Sequence, residues 1–381
     1  MDFDLTWLLW GLPVAFALGW VASRLDLRQW RMESRQAPKA YFRGLNHLLN
    51  EQQDQAIDAF IEAVQGDPDT TELHFALGNL FRRRGDYDRA VRVHEHLLSR
   101  ADLVRKDRDR AQHALALDFL KAGLLDRAES ALQKLEGTAF ESEARLALLA
   151  IYERSRDWAL ARTIAEKLDA VEQGSFATRI AHYLCELADN AQREGDPARA
   201  RALLDDAVQR VPSLARGWMA RSALRAQQGD TAGALDDLFS LTRLAPQAAP
   251  LAARAMAELA QQTERIPQVR AALEALQARA PSIDVTDALA RLSPAGDESR
   301  RVLLHHLEAE PSLVIASQWL AGEALSDPAA AEPVRRALDQ ASGPLQRYRC
   351  AACGFEARQH FWQCPGCQAW DSYPARRVEE L

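Results

Sequence analysis

The sequence predicts a mainly helical repeat array, held to a membrane at its start and closed by a small metal-bound module. Three observations carry this. An uncharged run of 18 residues lies near the start, a helical pattern recurs about every 34 residues, and two cysteine pairs lie near the end. Of the 381 residues, 48% are hydrophobic and 27% charged, which excludes wholesale disorder and collagen-like sequence. A net charge of −7 does not suit a chain built mainly to hold nucleic acid, and no such partner is expected. Only five of the 47 basic residues are Lys, and the excess of Arg reads as compositional bias. Four of the five Cys fall in the last 32 residues, which speaks for a metal and against a disulfide-stapled secreted scaffold.

The first element is a transmembrane helix. Leu5 to Ala22 carries no charge, and as a helix it is about 27 Å long, against a hydrocarbon core of roughly 30 Å. Trp7 and Trp20 stand near its ends, where indole rings favour the interface. Asp2 and Asp4 precede it; Arg24, Arg28, Arg31, Arg35 and Lys39 follow it, against Asp26 and Glu33. The positive-inside rule then places the N-terminus outside and everything beyond residue 23 in the cytoplasm, with 24–39 as a basic juxtamembrane linker. The acidic start argues against a cleaved signal peptide, which needs a basic n-region.

Residues 40–340 are expected to form the array, with a signal that degenerates after about residue 250. Gly44, Ala56, Phe60, Ala63 and Pro68 stand at the spacing of a tetratricopeptide repeat, and Leu77, Gly78, Phe81, Gly85, Tyr87 and Ala90 repeat it 34 residues on. The phase continues through Ala128, Ala161, Ala200 and Ala234, and Pro281 and Pro311 still close helical units. Small residues at these positions let the second helix of each unit approach the first, and the glycine before it accepts the turn. Each pair needs its neighbours to bury its apolar face, so stacking gives a superhelix with a concave groove. This is a binding surface; no nucleophile–base constellation is evident, and no enzymatic activity is expected.

Within the second unit, Phe75, Asn79, Arg82 and Arg83 fall on one helix face at i, i+4, i+7 and i+8. An Asn with Arg neighbours suits a backbone amide and a carboxylate of an extended partner segment, and a solvated helix end accounts for the same residues equally well. The two-unit carboxylate clamp of chaperone-binding repeats is absent, because the matching first-unit positions are Tyr41 and Leu45. His94 and His96 cannot share a helix face, nor can His305 and His306, so neither pair reads as a metal site. Cys185 reads as a small core residue.

The final module, 347–381, carries Cys350, Cys353, Cys364 and Cys367 as C-x2-C-x10-C-x2-C. Each pair makes a tight knuckle with amides turned onto the sulfurs, and Gly354 and Gly366 are expected to permit the turns. Four thiolates at tetrahedral positions suit one ion per chain, zinc or iron. A module this small cannot bury an adequate core, so metal must supply folding energy, of which roughly 10–16 kcal/mol is available. Tyr348, Phe355, Phe361, Trp362, Trp370 and Tyr373 read as a miniature core or as a face that docks on the array.

An anchor, then tetratricopeptide repeats, then a rubredoxin-like (zinc-ribbon) knuckle pair resembles the lipopolysaccharide assembly protein B family of Gram-negative bacteria along essentially the whole chain. The stretches LGNLFRRRGDYDRAVRVH, IAHYLCELA, RYRCAACGF and CPGCQAW carry the resemblance. It implies a single-pass inner-membrane protein with its bulk in the cytoplasm. It also implies a regulator of lipopolysaccharide synthesis that helps the membrane protease FtsH degrade the deacetylase LpxC and gathers other assembly enzymes. The four cysteines map onto the family's metal ligands. The reading from another class is a membrane-tethered rubredoxin-like electron carrier, which the same ligand set would serve.

Overall fold

The computed structural model describes residues 13–21, 39–67, 69–172, 176–294, 296–322 and 328–381. The chain divides into two compact units, Met1–Ser155 and Arg156–Leu381. Of the expected anchor only 13–21 is described, a helical segment with Phe16 and Leu18 exposed. Among the described residues no helix is long and apolar enough to cross a membrane. Trp7, the acidic start, the basic residues 24–35 and Pro68 lie outside the described residues.

The first unit holds α1 (39–49), α2 (Gln53–Gly66), α3 (Thr71–Arg84), α4 (Tyr87–Ser99), α5 (Arg105–Lys121), α6 (Leu125–Gln133) and α7 (Glu141–Ser155). The second opens with α8 (Trp158–Glu172), α9 (Ala177–Arg193), α10 (Pro197–Arg210), α11 (Ala215–Gln227) and α12 (Thr231–Leu244). The six alanines of the repeat pattern each occupy the fourth position of an even-numbered helix, and every one is fully buried. A methyl group there lets two helices close to contact distance without a void.

The turns before these helices share one backbone solution. A residue with positive φ stands just ahead of each. In four of the six, Asp86, Asp157, Asp196 or Asp230 follows as N-cap, its carboxylate accepting from the backbone N–H three residues on, whereas Gln52 and Leu124 precede α2 and α6 without a side-chain cap. Glycine supplies the positive φ at Gly85 and Gly229 (both +85°), as the sequence leads one to expect. Glu51, Arg156 and Glu264 adopt it too, which motif reading does not anticipate.

Beyond residue 250 the helices continue as α13 (Ala249–Gln262), α14 (Ile266–Arg279), α15 (Ile283–Leu292), α16 (Asp297–Ala309), α17 (Leu313–Ala321) and α18 (Pro328–Ser342). The sequence signal fades because the fourth-position alanine is replaced, first by the buried Val269 and then by Arg300, which stacks on Trp319. Pro281 and Pro311 precede α15 and α17, so they do mark unit boundaries.

Arginine is more than bias here. In the second unit Arg221 grips both Asp237 oxygens (2.7 and 3.0 Å), reaches Asp205 (2.9 Å) and lies 4.6 Å from the centre of the Trp218 ring. Only a planar fork that stays charged and stacks on aromatics meets all these demands, and Lys does not. In the first unit Arg82 bridges to Asp118 and to the Ala114 carbonyl, while His94 Nδ1 holds the other Asp118 oxygen. Helices α3, α4 and α5 are thereby joined through one buried carboxylate.

His94 fits because Gly78 opposes it; an added Cβ there would come within 2.5 Å of the imidazole Nε2. Gly78→Ala is therefore expected to destabilise the first unit by roughly 1–3 kcal/mol through overpacking. Gly229→Ala, with open space around it, should cost only the left-handed penalty of about 1 kcal/mol. Urea denaturation of both variants checks the order.

Candidate metal centre

The carboxyl-terminal module is built from two short strands and two loops. β1 (Tyr348–Arg349) pairs antiparallel with β2 (Glu356–Ala357), Tyr348 opposite Ala357, and a single bridge joins Gln363 to Trp370. The two cysteine loops are copies of one another. Cys350 N–H donates to the Phe355 carbonyl and Gly354 N–H to the Cys350 carbonyl; Cys364 N–H donates to Ala369 and Gln368 N–H to Cys364, all at 2.8–2.9 Å.

That correspondence corrects the expected glycine roles. Gly354 has φ of +77° as anticipated, but its counterpart in the second loop is Gln368, at +61°. Gly366 has no positive φ. A Cβ there would meet Phe355 and Cys353 Sγ at 3.4–3.6 Å, ordinary contact, so neither backbone nor space demands glycine at this position.

The four sulfurs all lie within 4.8 Å of one another, with Cys350–Cys367 at 3.8 Å and Cys353–Cys364 at 3.6 Å. Sulfurs placed tetrahedrally at about 2.3 Å from an ion are about 3.8 Å apart, so the set fits a single ion. Desolvation works against ionising Cys350, but the Ser372 hydroxyl and the amides of Cys353 and Ala352 outweigh it and bring its pKa down to about 6. Cys353 receives the Phe355 amide, yet desolvation and the sulfurs of Cys367, Cys364 and Cys350 hold it up at about 12. Four sulfurs this close do not ionise together unaided; a cation bound among them removes the conflict. Cys185 stands apart, fully buried in α9, where burial pushes its thiol up to about 12 and keeps it inert.

The aromatic residues divide between the two expected roles. Tyr348 and Tyr373 are buried inside the module with Cys350 and Cys364, against Leu251 of α13. Trp362 packs on the core of α11–α15, and Trp370 stacks on the buried His182 of α9 at 4.6 Å. His182 Nε2 also meets the Asp371 carboxylate at 2.9 Å. Phe355 remains 44% exposed and serves neither role.

Sequence reasoning missed how the final residues attach. Arg377 clamps both Asp284 oxygens (2.6 and 2.9 Å) beneath the Tyr348 ring. The Glu380 carboxylate accepts from Ile283 N–H (2.9 Å), the first residue of α15. Burial pushes that carboxyl up in pKa, opposed by the amides of Arg377 and Ile283. Glu379 accepts from the Ser312 hydroxyl (2.6 Å) and from the amides of Leu313 and Val314, at the start of α17. Two adjacent carboxylates thus cap two helices, each at the positive end of a peptide dipole. An acidic pair on its own carries no signal of this; only pairing it with Ser312 and Ile283, 67 and 97 residues earlier, would.

The other candidate residues lie in the first unit. Phe75 is buried with Leu97 and Leu103, and the Arg110 guanidinium lies 4.0 Å over its ring. Asn79 is half-buried and accepts from Arg82, whose other contacts are Ala114 and Asp118; Arg83 is exposed.

Cys364→Ser is expected to abolish the single metal equivalent and to release Trp370 from His182 while the repeats stay helical. Elemental analysis with tryptophan fluorescence and circular dichroism checks this. Glu379→Ala should weaken α17 by about 1–2 kcal/mol, seen as faster amide exchange in 313–321 with metal content unchanged.

Residues 348–373 match the family model of the rubredoxin metal binding domain, and 43–94 and 185–250 match that of the tetratricopeptide repeat. Over 97% of its length the chain is 32% identical to lipopolysaccharide assembly protein B of Escherichia coli strain K12, spanning 98% of that protein. It is 27% identical over 95% of its length to the protein of the same name from Haemophilus influenzae, spanning 96% of it. The C-terminal part of a repeat-containing protein from Cytophaga hutchinsonii aligns with a TM-score of 0.40 at 16% identity, over 65% of this chain and 99% of that one. With a relative of such identity along nearly the whole of both chains, and with repeats and knuckles both matched, the chain belongs to the lipopolysaccharide assembly protein B family.

Proposed function

We propose that this protein is an adaptor of lipopolysaccharide assembly, held at the bacterial inner membrane by its N-terminal segment with its bulk in the cytoplasm. It raises degradation of the LpxC deacetylase by the FtsH protease and gathers other assembly proteins on the same surface. The observation that carries the reading is identity at 32% along nearly the whole chain to a protein named for lipopolysaccharide assembly. The architecture supports it, since stacked helix pairs present side chains for binding and a fixed module.

The chain needs no chemistry of its own for this task. A tether that holds protease and client together replaces a bimolecular encounter by an effective concentration, a gain of roughly 10²–10⁴ without any new contact. The ion, zinc or iron, would be held by Cys350, Cys353, Cys364 and Cys367 and would supply folding free energy to the module. Asn79, Arg82 and Arg83 are part of the proposed partner surface in the first unit, with Arg83 the most accessible; Phe75, expected on the same face, is buried beneath Arg110 and meets no partner directly.

The test is the half-life of the deacetylase in cells depleted of this protein. It should lengthen, with lipopolysaccharide rising in parallel, and wild-type chain should restore it where Cys364→Ser does not. An unchanged half-life overturns the proteolytic role.

A further inference from the structure

Two clefts adjoin where the metal module meets the repeats of the second unit. One, of about 500 Å³, lies between the module and the starts of α9, α11 and α13, with Leu251 and Trp362 on its walls. The other, of about 230 Å³, lies beside Leu276 and the loop before α15. Gln247 and Arg376 line both, so the two form one crevice with Arg376 at its waist.

The charges of this crevice are unbalanced. Among the described residues Arg376 has no hydrogen-bond, ion-pair or ring partner, and neither has Arg279 on the wall of the smaller cleft. The one acidic residue lining either cleft is Asp371, and it is engaged by His182. The neighbouring Arg377 and Arg221, by contrast, are both held in two-pronged contacts with carboxylates. A largely apolar trough with two unmatched guanidinium groups lacks a ligand of opposite sign.

We propose that this crevice is a docking site for an extended, acidic segment of a partner protein. Alternate side chains of an extended chain project to one side, so apolar residues would enter against Leu251, Trp362 and Leu276 while intervening carboxylates meet Arg376 and Arg279. The proposal rests on the adaptor reading and deepens it, since it gives the chemistry of the segment recognised. It also explains why the metal module must be docked: the module supplies Trp362, Arg376 and close to half the wall of the larger cleft.

The test uses the full-length, metal-loaded chain in detergent and a fluorescein-labelled ten-residue peptide alternating Leu and Glu. Fluorescence anisotropy should show saturable binding that weakens as salt rises. Arg376→Glu and Arg279→Glu should each weaken it at least tenfold, with metal content and circular dichroism unchanged. Arg92→Glu, at an exposed position of α4 in the other unit, should leave it as it was. A peptide alternating Leu and Lys should not bind, and phosphatidylglycerol vesicles should not compete. Equal binding of both peptides, displacement by the vesicles, loss with Arg92→Glu, or indifference to both crevice substitutions would each overturn the proposal. Deacetylase half-life is read separately, so a failed crevice and a failed adaptor role are told apart: wild-type turnover with Arg376→Glu sinks only the crevice.

Discussion

A module of about 35 residues built around four thiols cannot bury enough apolar surface to stand alone. That constraint governs the carboxyl-terminal half of the protein. The metal site holds the two loops together, but Trp362 and Trp370 still need a surface, and the repeats provide it in His182 and the α11–α15 core. In return the module's last residues supply what α15 and α17 lack, an acceptor for the first amides of each helix. Module and array are thus completed by each other, and neither set of contacts is decorative.

The repeats were legible because their rule is local. A methyl at the fourth position of each second helix, a left-handed residue before it and, in four of the six, an aspartate cap between them all fall within a few residues of sequence. Where the methyl gives way to Val269 and Arg300 the rule is broken locally and kept spatially, so the repeat signal degenerates there although helices continue through α18. The cysteine knuckles were legible for the same reason, since two pairs at fixed spacing define their own geometry. Gly366 shows the limit of such reading: its φ is not positive, and the left-handed residue of that loop is Gln368 instead.

What the sequence concealed is long-range and polar. His182 with Asp371, Arg377 with Asp284 and Glu380 with the Ile283 amide are separated by 189, 93 and 97 residues. No periodicity or spacing links such positions, because the partners are set by how the module lies on the helices. The arginine excess was misjudged on the same account. Its value lies in forks that join one helix to the next, as at Arg221 and Arg82, and these are visible only once the helices are stacked.

The capping of α15 and α17 by Glu380 and Glu379 has a consequence in time. During synthesis these helices emerge well before the residues that finish them, by 97 positions for Ile283 and 66 for Leu313. At translation rates of about 5–20 residues per second, that is an interval of roughly 3–20 s. Through that interval the nascent array carries two unfinished helix ends and a bare patch around His182. A product that stops short on the ribosome would stay in that state, with the first amides of α15 and α17 unmatched and the His182 ring uncovered.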